Sequence, residues 1–99
     1  MGVSEDIQWL KEDEQGLGKI FLLIAENVVV TADGRDIGVE LRKIKELYGS
    51  EDWWPVKAYV RALKDRGLIA EDENGYKLTE DGKKVREGFK AIEYVRQVI

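Results

Sequence analysis

Lys57, Arg61 and Lys64 recur at i, i+4 and i+7 within PVKAYVRALKDRG. On a helix this spacing gathers them into one basic ridge. Arg61 carries a planar fork that suits a bidentate acceptor such as a guanine edge, and the two lysines, as point charges, suit phosphates. Val56, Tyr59, Val60 and Leu63 fall on another face of the same helix as an apolar stripe for a core. An ordinary solvated helix face has the same spacing of cations, so both readings stand at this level. Trp53 and Trp54 come just before Pro55. Two indoles at a helix start can pack down as a hydrophobic staple, and at least one is expected in the core; an exposed Trp54 would meet a partner.

Other chemistries find little material. The 99 residues include no cysteine and no histidine, so disulfides and thiolate or imidazole metal sites are excluded. A metal would need oxygen ligands, and no acidic spacing resembles a calcium loop. Acid–base catalysis would fall to carboxylates, lysines or tyrosines, and the carboxylates are expected on exposed faces with nothing apolar to shift them. Gly16-Leu17-Gly18 precedes a helix but lacks the rest of either nucleotide signature. The expectation is a protein that is not an enzyme and needs no metal or cofactor. The longest apolar run, near Ile20–Ala25, is too short to cross a bilayer and no signal peptide is recognised, so a soluble, cytoplasmic protein is expected.

Charged residues make up 36% of the chain, amide side chains are scarce and cysteine is absent, a balance common in proteins from hot environments. The formal net charge of −4 is unevenly spread. Residues 1–15 hold Glu5, Asp6, Glu12, Asp13 and Glu14 against Lys11 alone, whereas residues 39–66 carry a net charge of +2. An acidic chain can still present a local basic face, with less long-range steering than a basic one.

The elements that must position these residues have local signals of their own. Ser4 can cap a short helical turn bearing Ile7, Trp9 and Leu10. The apolar positions 17, 20, 21, 24 and 28 predict a first core helix to about Asn27. Val28–Thr31 is β-branched throughout and reads as a short strand. Asp36 is a plausible N-cap for a second helix lined by Ile37, Leu41, Ile44 and Tyr48 and ended by Gly49. Asp52 can cap the third, in which Pro55 is tolerated in the first turn. Gly67 stops that helix, Asn74-Gly75 signals a two-residue hairpin turn between Leu68 and Leu78, and Thr79 caps a last helix from about Glu80. The expected class is α+β, mostly α, in the order helix, strand, helix, helix, strand, strand, helix. No linker or repeat divides it. One domain spans 1–99: an acidic helical extension over 1–15, a core over 17–79 and a C-terminal helix over 80–99.

This order resembles the winged helix-turn-helix DNA-binding domains, especially small archaeal and bacterial transcription regulators of the MarR/PadR type. The resemblance covers about residues 17–85. Its most specific part is Arg66-Gly67-Leu68-Ile69 followed by Tyr76-Lys77-Leu78-Thr79-Glu80-Asp81-Gly82, similar to a "GLI…Y-x-LT-x-x-G" ending. The resemblance implies a transcription regulator binding double-stranded DNA, with the third helix in the major groove. It assigns Lys57, Arg61 and Lys64 to the groove, with Trp54 near its mouth, Arg42 and Lys45 on flanking backbone, and Lys77 on the wing. It also implies a homodimer through the C-terminal helix, whose stripe is Val85, Phe89, Ile92, Val95 and Ile99; Trp9 joins that interface. A two-fold dimer would set two third helices about 34 Å apart. The wing departs from the pattern: its tip is Glu71-Asp72-Glu73-Asn74, which would repel phosphate. That acid, the acidic N-terminus and Trp53-Trp54 motivate the alternative, a winged-helix protein-interaction module without DNA binding. Neither reading specifies an operator or a small-molecule effector.

Overall fold

Helix α2 (Lys19–Asn27), the second of the chain, supplies the centre of the core. Its Ile20, Phe21 and Ile24 are fully buried, with Ala25 beside them. In the computed structural model, which describes residues 2–98 and side chains as far as residue 92, the other elements close around that stripe. Helix α1 (Val3–Lys11) leads through a π-helical turn, Glu14–Gly18, into α2. Two short strands follow, β1 (Val29–Val30) and β2 (Asp36–Ile37), then α3 (Leu41–Tyr48), α4 (Trp53–Asp65), β3 (Ile69–Asp72), β4 (Gly75–Leu78) and α5 (Glu80–Val98). The class is α+β and mostly helical, with two two-stranded antiparallel sheets among the described residues. Leu10, Val39, Ile44, Val56, Val60, Leu63, Leu68, Ile69, Leu78 and Val85 complete the core. The expected α4 stripe is therefore the buried one, with Tyr59 half-buried at its edge.

The junctions follow from local chemistry. Gly67 has φ +85°, its N–H bonds the Lys64 carbonyl, and the Leu68 N–H reaches back to Leu63. These are the paired bonds that close a helix with a left-handed residue, and they bury Leu68 against the last turn. Thr79 starts α5: its hydroxyl accepts from the Gly82 N–H at 3.0 Å and donates to the Gly67 carbonyl at 2.6 Å. Asp52 stands before α4 in extended backbone, but its side chain makes no capping bond; Ser50 braces the turn instead.

Several expectations are corrected. The core helix begins at Lys19 rather than Leu17, because Asp13 Oδ1 accepts from the Gly16 N–H and holds the preceding turn open. Gly16 lies so close to the Tyr59 ring that no side chain fits there. Asp36 caps no helix. It pairs with Val30 while Ile37 pairs with Val29, and Ile37 is 39% exposed rather than in the core. Val39 then exchanges two backbone hydrogen bonds with Tyr76 (2.7 and 2.8 Å), so the chain stays extended and α3 starts only at Leu41. In the second hairpin Asp72 faces Gly75, so the turn residues are Glu73-Asn74, one position earlier than the Asn-Gly signal implies. Asp72 Oδ1 selects this register by accepting from the N–H groups of Asn74 (2.8 Å) and Gly75 (3.2 Å).

The largest correction concerns α5. The described part of α5 faces the chain's own body, where α1 packs alongside it with Ile7 seated against Gly88. Val85 is fully buried and presents no surface to a second copy. Phe89 packs on Phe21 with ring centres 6.3 Å apart. Trp9 lies half-buried under the Arg66 guanidinium, 4.5 Å from its ring centre, and Arg66 in turn pairs with the buried Asp6 at 2.9 Å. Ile92 is half-buried. The Val95 side chain and Ile99 lie outside the described residues.

Candidate nucleic-acid interface

Helix α4 buries Val56, Val60 and Leu63, and this fixes its rotation and turns Lys57, Arg61 and Lys64 outward. The three cations line a groove of about 370 Å³ whose apolar wall is Leu41, Val60 and Tyr76, with Asp65 also lining it. The groove therefore runs between α4, the start of α3 and the β3–β4 hairpin. Arg42 is exposed on α3, and Lys45, one turn on, is half-buried.

Most of these charges already have a neighbour. Arg61 Nε is 3.9 Å from Asp65, with both side chains more than 70% exposed. Lys64 Nζ meets Glu71 at 3.4 Å, and Lys77 Nζ meets Asp72 at 3.2 Å. Two of the three acids expected to repel phosphate at the hairpin, Glu71 and Asp72, are thus held by α4 and by the hairpin's own lysine. Exposed pairs of this kind contribute ~0–1 kcal/mol each. A phosphate can displace such a partner at small cost, so the pairing trims the basic ridge without removing it.

Neither indole at the start of α4 is in the core, contrary to expectation. Trp53 is 41% exposed and Trp54 73%. Trp53 instead serves as a ledge for two ammonium groups, Lys45 at 5.2 Å and Lys57 at 5.6 Å from its ring centre. The Trp53–Lys57 contact has i, i+4 spacing and could have been anticipated. The Lys45 contact crosses from α3 and could not.

Shifted titrations all strengthen the charge state the group has at neutral pH. The Asp72 carboxylate lies below its ordinary range because of the Asn74 amide first and Lys77 second. Asp33 is lowered chiefly by the Thr31 hydroxyl. Lys83 is raised by its hydrogen bond to Asp36. Burial raises Tyr48 and Tyr76, the latter with help from Glu71. Among the described residues no cluster of acidic side chains is placed to hold a metal ion, and no helix is long and apolar enough to cross a membrane.

The order and packing of these elements have a counterpart among solved structures. The fold is similar to the activation domain of the phage T4 transcription factor MotA, with a TM-score of 0.59 over 83% of this chain and 80% of that one. At 14% identity the likeness is one of fold. No family model and no curated protein matches the chain.

Proposed function

We propose that this chain is a winged helix-turn-helix domain of a transcription regulator that binds double-stranded DNA, with α4 in the major groove. The observation that carries the reading is the outward ridge of Lys57, Arg61 and Lys64 along a helix whose other face is locked into the core. Arg61 would read a guanine edge, Lys57 and Lys64 would meet phosphates, and Arg42 and Lys45 would hold flanking backbone. The hairpin takes the position of the wing; Lys77 exchanges Asp72 for a phosphate when DNA binds. In this reading the whole chain is one soluble, cytoplasmic domain without a cofactor or catalytic role; the fold likeness to a transcription factor's activation domain supports its transcription-related part.

The test is anisotropy of labelled random-sequence duplex at ~50 and ~200 mM salt, where phosphate neutralisation makes affinity collapse as salt rises. Arg61→Ala should relax sequence preference, and Lys57→Ala should weaken all duplexes and flatten the salt slope. Unchanged binding in both variants rules out this face. Self-association through α5 would use the half-buried Phe89 and Ile92 and the helix after them, since Val85 is fully buried; light scattering decides it, and a monomer removes the half-site spacing of a dimer from the reading.

A second reading, a protein-interaction module of the winged-helix type, is favoured by one observation: Glu71 and Asp72 engage Lys64 and Lys77 on the very face DNA would use. No duplex binding at low salt would put that reading first.

A further inference from the structure

Trp53 and Trp54 are adjacent in sequence but differ in surroundings. The Trp53 ring holds the ammonium groups of Lys45 and Lys57, and among the described residues no cation lies over Trp54, which is 73% exposed. We propose that Trp54 is a stacking platform for an unpaired base, and that this corner of the molecule binds single-stranded DNA, with Lys45 and Lys57 taking the neighbouring phosphates. An open indole face accepts any base, because every base presents a π-face. The lysines are pre-positioned: the Trp53 ring orders both ammonium groups while leaving their outer N–H donors for an anion. Glu51 and Asp52, in the turn just before α4, make no ion pair with either lysine among the described residues. Charge complementarity selects the occupant. An apolar protein surface covering the two indoles would also have to desolvate two unpaired ammonium groups, whereas a polynucleotide brings an anion for each. The site is at the N-terminal end of α4 and shares Lys45 and Lys57 with the duplex face, while Trp54 is its own. It would let the domain hold a base exposed by local opening of a duplex.

The test uses the full chain and a fluorescent oligothymidylate at about 50 mM salt, with a duplex measured in parallel. Trp54→Ala should weaken oligothymidylate binding about tenfold or more, Trp54→Phe should retain most of it, and Lys57→Gln should weaken it and flatten its salt dependence. Thermal melts of the variants should match the parent, because the indole makes no core contact. An oligothymidylate affinity unaffected by Trp54→Ala overturns the proposal. Duplex binding without oligothymidylate binding overturns it and leaves the major-groove reading standing; the converse does the opposite. Capture of polyglutamate in place of oligothymidylate, with the same dependence on Trp54, also overturns it and points to an acidic protein.

Discussion

The two antiparallel ribbons are built alike at their tips and differently at their roots. Each turn is braced by a carboxylate: Asp33 accepts from the Thr31 hydroxyl, and Asp72 accepts from the amides of Asn74 and Gly75. The β3–β4 ribbon then sends Ile69 and Leu78 into the core and gains a further partner where Val39 bonds Tyr76. The β1–β2 ribbon has two residue pairs and carries Val29 and Val30 at 59% and 64% exposure. A two-stranded ribbon alone is marginal in water. Turn chemistry therefore shapes both ribbons, while burial stabilises one of them. The first ribbon is anchored from outside by Lys83, whose ammonium reaches Asp36 at 3.1 Å.

The largest effect should come from crowding the rooted ribbon. Gly75 has φ +135°, and a side chain there would run into the Val39 backbone. Gly75→Val should cost at least about 3 kcal/mol in chemical denaturation, combining backbone strain with overlap. Gly34, at φ +82° with open space around it, should cost about 1 kcal/mol as Gly34→Ala. Equal losses would break the contrast.

Truncation should separate the ribbons next. Leu78→Ala removes a side chain that is 8% exposed and should cost about 2–3 kcal/mol. Val30→Ala should stay within about 0.5 kcal/mol, and a larger loss would mean that the β1–β2 face is covered in solution.

Hydrogen exchange offers a finer reading: the Thr31 and Gly34 amides should exchange well before those of Val39 and Tyr76, since only the second ribbon opens with the core. Uniform protection would contradict it.

The smallest effect concerns pH, where the ribbons should agree. Both turn carboxylates are depressed in the fold, so each stabilises above its unfolded-state pKa, and that contribution disappears as pH falls through the folded value. Amide shifts of Asn74 and Gly75 should move below about pH 4 and cease to do so in Asp72→Asn. A transition near neutral pH would contradict the assignment.

The segment from Pro55 to Gly82 was the most legible in sequence because its signals are local: the Gly67 stop, the hairpin and the Thr79 cap each act within a few residues. Even there Asp72 moved the turn by one position, since a side-chain bond outweighed the Asn-Gly preference. Strand β2 was hidden because Asp36-Ile37 suits a helix start equally well until Val29 and Val30 pair with it. An amphipathic stripe states that it will be covered and is silent on what covers it, so the sequence alone cannot distinguish a second copy from the chain's own core as the cover for Val85 and Phe89. At the candidate interface, the rotation of α4 was legible from its stripe. The Lys45–Trp53 contact and the Asp6–Arg66 pair join residues remote in sequence and left no trace in it.

The bonds around Thr79 also have a consequence for change over time. The Thr79 hydroxyl donates to Gly67 and its N–H bonds the Leu68 carbonyl at 3.1 Å, so the hairpin is fastened to the helices at its root and held a second time where Tyr76 bonds Val39. Everything between those anchors behaves as a cassette. Its Glu73-Asn74 turn, outside the contact of Gly75 with Val39, can reverse its charge with little strain reaching the helices, and descendants of this chain could acquire new specificities there while the rest of the molecule stays as it is.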